Sequence, residues 1–261
     1  MNMKSVLHKL IMAAVLLIAT ACGNTKIPNG VEIPECRDND DVVVKKGYTA
    51  SYNHVTLVPN WVAWELTATE LRSLGEFQAQ FKSDRSVRFP KARLEDYREM
   101  GLHDIDKGHM APAKDMRWDE KVYEEAFLLT NVCPMNHYLN AGSWRKIEEL
   151  TRRIAVHYGS VYVVCGPIFS EERMENIGLL DDNVVCVPNA FFKAIAVKSG
   201  EEYLTAAFVL ENKPLNYNPQ SYAITVDSVE TITGINLFPS IKEEYEAVLG
   251  LDEIMTELKS K

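Results

Sequence analysis

One stretch, from Asp104 to Glu148, constrains the chain more than any other. It opens with a short polar turn containing a glycine and a histidine, continues through an apolar run, and ends in an amphipathic segment that an asparagine precedes. This order brings a side chain that can accept a proton, His109, close to one that can bind a hard metal ion, Asn140. The pattern predicts a base and a metal ligand side by side, with the remaining chain as scaffold.

The segment that ends this stretch is the clearest helix in the sequence. Large side chains recur at helical spacing between Asn140 and Tyr158 and predict one buried side. These side chains are Trp144, Ile147, Ile154 and Tyr158. Asn140 also has the residue type of a helix cap, which gives it a structural explanation beside the functional one. Asn140 and Glu148 are eight positions apart, about 80° around a regular helix, so they can share a face.

Apolar and β-branched runs predict a sheet. The predicted strands are two within residues 48–66, separated by a turn at Pro59-Asn60, and then Glu124–Asn131, Ser160–Phe169, Val184–Val197 and Ala206–Leu210. Ser221–Thr231 fits either a strand or a helix, and Ile241–Leu258 has an amphipathic helical pattern. Because these elements do not alternate regularly, the expected fold is α+β, with a central antiparallel sheet flanked by helices.

Residues 1–21 are predicted to be a bacterial lipoprotein signal peptide. Lys4 and Lys9 precede an apolar run that is short for a membrane span, and small residues stand directly before Cys22. An ordinary secretory signal is the alternative, and it predicts export as well. Residues 22–40 are then a tether and residues 41–261 a single domain. The expected location is the cell envelope, facing the periplasm or the cell surface, with membrane attachment through lipidated Cys22.

The charge argues against a broad electrostatic clamp on nucleic acid. The formal net charge is −9, and without residues 1–21 it is −11, because 26 basic and 37 acidic residues remain. Such binding depends on neutralising phosphates, so a nucleic-acid enzyme with this balance needs a local basic groove. Basic residues concentrate in the irregular connection 68–100, which includes Arg72 and Arg85. A solvated surface is the other explanation for that segment.

Four cysteines remain once Cys22 is set aside. They are Cys36, Cys133, Cys165 and Cys186. An even number in an exported chain permits two disulfides, in three pairings that the sequence does not distinguish. Cys165 with Cys186 is one candidate pair, since both lie in apolar runs. The absence of a C-x-x-C pair argues against a zinc cluster.

Four blocks of sequence resemble the DNA/RNA non-specific endonucleases, a ββα-metal or His-Me finger group. The first is Asp106-Lys107-Gly108-His109 followed by Met110-Ala111-Pro112-Ala113, where the family has Asp-Arg-Gly-His before a small-residue run. The second is Thr130-Asn131-Val132-Cys133-Pro134-Met135. The third is Leu139-Asn140-Ala141-Gly142-Ser143-Trp144 with Glu148 further along, and the fourth comprises Val164–Phe169 and Val187–Lys193. The blocks follow the family's order across roughly Tyr48 to Leu210.

The resemblance implies a ββα-metal motif and hydrolysis of phosphodiester bonds in DNA and RNA. Mg²⁺ is the implied cofactor, with Mn²⁺ or another divalent ion as alternatives. His109 would be the general base, Asn140 the direct protein ligand of the ion, and Glu148 the residue that holds metal-bound water. Asn131 would orient the site, and Lys107 would contact phosphate. A homodimer is an open alternative, because family members are often dimers.

Two departures from the family pattern bear on activity. Lys107 stands where the family has arginine, and a lysine keeps the charge but loses the bidentate fork. The family's upstream arginine should fall near Phe77–Asp84, where there is none, so Arg72 or Arg85 would substitute for it. A catalytically weakened nucleic-acid-binding envelope lipoprotein with the same fold is therefore the alternative function. His137, close to the motif, is expected to be structural or solvent-facing.

Overall fold

The computed structural model describes residues 27–37, 40–72, 75–98, 104–170, 175–176, 185–215, 218–246 and 248–259. The predicted signal peptide and Cys22 lie outside the described residues. Within these ranges, no helix is both long enough and apolar enough to cross a membrane.

A seven-stranded antiparallel sheet forms the centre of the molecule. In spatial order its strands are β1 (Asp41–Val44), β2 (Thr49–Tyr52), β3 (Pro59–Thr67), β6 (Ser160–Ile168), β9 (Ala190–Ser199), β10 (Glu202–Glu211) and β11 (Ala223–Ile224). Two small antiparallel pairs lie outside it, formed by β4 (Ile105–His109) with β5 (Val132–Asn136) and by β7 (Glu175–Asn176) with β8 (Cys186–Val187). The central antiparallel sheet predicted from the sequence is confirmed.

Helices and short helical turns connect and cover the sheet. The helices are α1 (Glu120–Ala126), α2 (His137–Leu139), α3 (Arg145–Tyr158), α4 (Val226–Thr233), α5 (Glu243–Glu246) and α6 (Leu251–Glu257). Single 3₁₀ turns occupy Glu70–Arg72, Leu94–Tyr97, Leu129–Asn131 and Pro219–Tyr222. The connection 68–100 is largely irregular, as predicted.

Both faces of the sheet are covered, which explains why its central strands are apolar along most of their length. Alternate side chains of β9 point to opposite faces, so Phe191 packs with α3 while Phe192 joins the core beneath α4. The predicted tryptophan core is confirmed, because Trp61 and Trp64 are each only 2% exposed. The larger core, on the α3 side, is the one that supports the candidate site.

One predicted strand is wrong. Glu124–Asn131 spans the end of α1 and a 3₁₀ turn, and the strand begins only afterwards, at Val132. Asp119 caps α1, since its side chain accepts a hydrogen bond from the backbone N–H of Val122. The apolar run Phe127-Leu128-Leu129 resembles a buried strand in sequence, but it connects the end of α1 to the 3₁₀ turn that precedes β5.

The predicted turn at Pro59-Asn60 is also wrong, because both residues lie in β3. The turn precedes them. Asn53 forms it, because its side-chain oxygen accepts hydrogen bonds from the backbone N–H groups of Val55 and Thr56. An asparagine that bonds to its own downstream backbone in this way is a common turn former.

The C-terminal half departs from the sequence expectation in two ways. Val184–Val197 is interrupted at Pro188-Asn189, between β8 and β9. Ile241–Leu258 holds two short helices, α5 and α6, in place of one. Ser221–Thr231, left open between strand and helix, contains β11 and most of α4.

The cysteines form no disulfide. Cys36, Cys133, Cys165 and Cys186 are all free thiols, so the Cys165–Cys186 pairing is wrong. Cys165 and Cys133 are fully buried and belong to the core on the α3 side. Burial raises the pKa of both thiols, which keeps them protonated and unreactive.

Candidate active site

The site is built on β4, β5 and α3, which together form the ββα motif that the resemblance implies. In the β4–β5 pair, Gly108 stands opposite Cys133 and His109 opposite Val132. A Cβ atom on residue 108 would lie 2.6 Å from the Cβ of Met135. Only glycine fits there without a shift, so the close approach of the two strands depends on Gly108.

Asn131 fixes the chain that follows His109. Its side-chain oxygen accepts a hydrogen bond from the N–H of Ala111 at 2.8 Å, and its amide nitrogen donates to the carbonyls of Ala111 and Ala126, each at 2.9 Å. Its own carbonyl accepts from the N–H of Met110. Asn131 is fully buried, so each of these bonds replaces water that the groups have lost. These contacts support the orienting role predicted for Asn131.

The imidazole of His109 is held by aromatic packing. Its ring centroid lies 5.1 Å from that of Phe81 and 4.9 Å from that of Phe127. Its Nε2 atom is buried and has no hydrogen-bond partner among the described residues. Burial lowers the pKa of His109 from 6.5 to about 4, so the ring is neutral at physiological pH. A neutral ring with an unpartnered nitrogen can accept a proton.

Asn140 is held by a residue that the sequence reasoning left without a role. Its amide nitrogen donates to Asp106 at 2.9 Å, which turns the amide oxygen away for another partner. The same carboxylate accepts from Nδ1 of His137 at 3.0 Å. His137 is about half exposed, and this hydrogen bond agrees with the structural or solvent-facing role expected for it. The signal that could have identified Asp106 was its place in the Asp-Lys-Gly-His motif itself.

The helix begins earlier than predicted, and Asn140 is not its cap. Asn136 is the cap, since its side chain accepts from the N–H groups of Tyr138 and Leu139. A wider π-type turn, Asn140–Trp144, then joins α2 to α3, and Gly142 within it has non-helical dihedral angles. The angle of about 80° between Asn140 and Glu148 assumed one regular helix, so it does not hold here.

Glu148 belongs to a cluster of four charges, in which Asp115 and Lys193 are buried and Glu148 and Arg152 are partly exposed. Arg152 donates to Asp115 at 2.8 Å. Burial raises the pKa of Glu148 to about 7, and the nearby Lys193 and Arg152 oppose that rise. Arg152 is four positions from Glu148 on α3, but Asp115 and Lys193 are 33 and 45 positions away. Sequence reasoning named only Glu148, because no local pattern connects it with Asp115 and Lys193.

Two lysines lie close to the segments that hold His109, and the Nζ atom of one of them, Lys82, pairs with Glu124 at 3.6 Å. Lys107 lies with its Nζ atom 5.5 Å from the ring centroid of Phe81, the ring that also packs on His109. Lys82 falls inside the window where the family's upstream arginine was expected, and sequence reasoning overlooked it by searching only for arginine. Its backbone pairs with the segment before Asn131, because its N–H donates to Phe127 and its carbonyl accepts from Leu129.

The two arginines proposed as substitutes occupy different places. Arg72 is exposed and follows β3, where the N–H of Ala68 donates to the carbonyl of Gly159. It therefore lies beside the C-terminal end of α3, whereas the site lies at the N-terminal end. Arg85 is exposed and directly follows Asp84, whose carboxylate accepts from the hydroxyl of Thr130 at 2.9 Å. The structure thus brings Arg85, and not Arg72, to the side of the motif.

A single side chain ties the motif to the sheet. Asn212, just after β10, accepts from the N–H of Asn136 at 2.7 Å through its side-chain oxygen. Its amide nitrogen donates to the carbonyls of Pro134 and Pro188. The end of β5 is therefore fixed to two strands of the second half of the chain.

The residues present suit a hard divalent ion with few protein ligands. Among the described residues, no group of three or more His, Cys, Asp or Glu is arranged to hold a metal. The amide of Asn140, oriented by Asp106, is an oxygen donor of the kind that Mg²⁺ accepts while it keeps several waters.

Comparison with known proteins identifies the family. The model of the family described as DNA/RNA non-specific endonuclease matches residues 29–244. The chain belongs to the DNA/RNA non-specific endonuclease family. This membership makes it a nuclease, and it confirms the enzyme class predicted from the sequence.

Individual relatives of this endonuclease agree. The mitochondrial nuclease EXOG of Danio rerio is 31% identical over 212 residues, which cover 76% of this chain and 60% of the relative. The mitochondrial endonuclease G of Homo sapiens is 30% identical over 209 residues, which cover 76% and 69% respectively. A crystal structure of an EndoG/EndoGI complex superposes with a TM-score of 0.72 at 28% identity, covering 81% of this chain and 91% of the other.

Proposed function

We propose that this endonuclease hydrolyses DNA and RNA without sugar specificity, that it requires Mg²⁺, and that His109 is its general base. The observation that carries the proposal is the partly exposed ring of His109, which packs against Phe81 and Phe127 and is neutral because its pKa is lowered to about 4. A base must be neutral before it accepts a proton, and this ring is neutral across the physiological range.

The surroundings of His109 suit removal of a proton from water. Phe81 and Phe127 keep the ring in one orientation and exclude bulk water from its sides. Asn131 fixes the backbone that carries the ring, so the nitrogen has a defined position. Fixed placement of a reacting group reduces the entropy that must be lost in the transition state.

Asn140 and Glu148 are the residues that support the metal proposal. Asn140 would ligate the ion through its amide oxygen, which Asp106 orients. When bound, a divalent ion supplies positive charge to the phosphate and makes nearby water more acidic. Glu148 would hold and orient that water, and Lys107 and Lys82 would face the phosphate oxygens. Arg85 is a further candidate for phosphate contact.

The test is cleavage of supercoiled plasmid and total RNA by residues 24–261. We expect both substrates to be cut with Mg²⁺, and both to remain intact with chelator or after His109→Ala. His157→Gln, at the far end of α3, is the matched control and should keep full activity. Folded wild-type protein that binds nucleic acid with no product under several divalent ions would instead establish the weakened binding protein.

Export, lipidation and dimerisation are also part of the proposal. The sequence before residue 24 supports a bacterial envelope lipoprotein attached through Cys22, and family resemblance supports a homodimer. Metabolic labelling with a radioactive fatty acid should mark the full chain and not its Cys22→Ser variant. Light scattering coupled to size-exclusion chromatography should give twice the chain mass, and a monomer mass would reject the dimer.

A further inference from the structure

Lys193 is a fully buried lysine in the middle of the central sheet. It is 1% exposed and lies on β9, whose neighbouring side chains are apolar. Alternation along the strand puts it on the same face as Phe191 and Ile195, which is the face that packs against α3. Moving an ammonium group out of water costs several kcal/mol unless other groups compensate for it. A leucine would stabilise the sheet more simply, so the charge calls for an explanation.

The first compensating group is aromatic. The Nζ atom of Lys193 lies 4.3 Å from the ring centroid of Trp144 and 5.3 Å from that of Trp64. These distances are within the range of cation–π attraction. Trp144 in turn donates from its Nε1 atom to the carbonyl of His109 at 3.3 Å. The ammonium therefore contacts the same indole that donates a hydrogen bond to the backbone of the proposed base.

The second compensating group is the acidic part of the cluster of four charges. Lys193 lowers the pKa of Glu148 and of Asp115 through its charge. Asp115 already has a cation, because Arg152 pairs with it at 2.8 Å. Lys193 and Arg152 both lower the pKa of Glu148, and Lys193 has the larger effect. Glu148 lies one turn of α3 beyond Trp144.

We propose that Lys193 is a positioning residue for the phosphodiester-cleaving site, because its ammonium group holds both the Trp144 indole and the Glu148 carboxylate in place. This inference rests on the proposed function. Lys193 touches neither substrate nor metal in this account. It acts through Trp144 on the His109 carbonyl and through its charge on Glu148.

The first test replaces the charge and keeps the shape. Lys193→Met should lower kcat by about 10- to 100-fold, the range found when residues that orient metal-site groups are removed. KM for an oligonucleotide should change by less than about threefold, because no substrate contact is lost. Lys193→Arg should recover at least about tenfold of the kcat loss. Ile195→Ala, on the same face of the same strand, is the control for loss of core packing. At temperatures below its melting temperature, this variant should have the kcat of the wild type.

A structural readout separates positioning from activity. The indole N–H of Trp144, assigned by comparison with Trp144→Phe, should exchange slowly with solvent in the wild type. It should exchange at least about tenfold faster in Lys193→Met and at the wild-type rate in Ile195→Ala. Unchanged exchange together with unchanged kcat in folded Lys193→Met would overturn the inference.

A double variant covers the case in which Lys193→Met does not fold. Lys193→Met/Glu148→Gln removes both charges, so it leaves neither of them unpaired in the interior. The part of the effect that runs through Glu148 is already absent from Glu148→Gln, so a further loss of about threefold or more in the double variant is the part that runs through Trp144. A double variant as fast as Glu148→Gln would reject the Trp144 part of the inference. Wild-type protein without any cleavage would reject the proposed function itself, and the N–H exchange result would still judge Lys193.

Discussion

The regions around two glutamates, Glu148 and Glu246, are stabilised differently. Glu148, in the candidate site, has a pKa raised to about 7, and so does Glu246, in α5. Burial is the first cause in both. Lys193 and Arg152 oppose the rise at Glu148, whereas the charges that act on Glu246 come from Glu230, Glu243 and Asp227 and add to it.

The site region and the C-terminal region differ in how far polar groups stabilise them. In the site region Asn131 and Asn212 each make several hydrogen bonds, while Nε2 of His109 and Oδ2 of Asp115 are buried without a partner among the described residues. The C-terminal region is held mainly by apolar side chains such as Phe238 and Val229. Oε1 of Glu246 is buried without a partner among the described residues. Satisfied polar groups specify geometry at the site, while apolar burial supplies cohesion elsewhere.

The largest expected effect is that of removing a satisfied amide from the site region. Asn131→Ala leaves the N–H of Ala111 and the carbonyls of Ala111 and Ala126 without their partner in the interior. Each such loss costs on the order of 1–3 kcal/mol, so the free energy of unfolding should fall by about 3 kcal/mol or more. Urea denaturation measures it. A fall below about 1 kcal/mol would mean that the site does not depend on this side chain.

The next effect separates the two glutamates by activity. Glu148→Gln should lower kcat by about 10- to 100-fold, because the carboxylate that orients water near the ion is lost. Glu246→Gln is the matched control, with the same change of group at a buried position outside the site. Its kcat should stay within about twofold of the wild type. Equal losses of kcat in the two variants would show that the two glutamates do not differ in function.

Glu246 also makes the free energy of unfolding depend on pH. Its pKa is about 7 in the folded chain and 4.5 in the unfolded chain, so between these values the folded state holds a proton that the unfolded state has lost. The free energy of unfolding therefore falls as the pH rises through that window. Glu246→Gln should be more stable than the wild type by about 1–3 kcal/mol at pH 8 and not at pH 4. Denaturation curves at several pH values measure this, and a constant difference would contradict it.

The smallest effect concerns a helix cap in the C-terminal region. The hydroxyl of Thr225 accepts from the N–H of Ser228 at 3.2 Å and caps α4. Thr225→Ala should lower the free energy of unfolding by about 1 kcal/mol and leave kcat unchanged. Thr225→Ser keeps the oxygen and should behave as the wild type in thermal melting. A change in kcat would show that the two regions are coupled more strongly than their contacts indicate.

The sequence alone predicted the features that depend on local spacing. The Asp-Lys-Gly-His and Leu-Asn-x-Gly-x-Trp blocks led to His109, Asn140 and Glu148, and the apolar runs predicted the antiparallel sheet. It failed at the ends of elements. The helix that Asp119 caps extends to Ala126 and so includes the first residues of the predicted strand, and Asn136 starts the next helix four residues before Asn140.

Non-local contacts were beyond the reach of the sequence for a different reason. Lys193 faces Glu148 because β9 lies beneath α3, and neither residue carries a local sign of the other. The same holds for Arg152 with Asp115, 37 positions apart. Lys82 lay in the correct window and was missed because arginine alone was sought there. The free thiols depend on the distances between strands, which cysteine counting does not provide.

The bond between Asn136 and Asn212 joins residues 76 positions apart and so has a consequence for synthesis of the chain. A ribosome makes the proposed base, the proposed metal ligand and the helix that carries Glu148 well before it makes residue 212. Until that residue emerges, the end of β5 lacks the side chain that fixes it to the sheet. The ββα motif is therefore fixed in its final place only when most of the chain has been made.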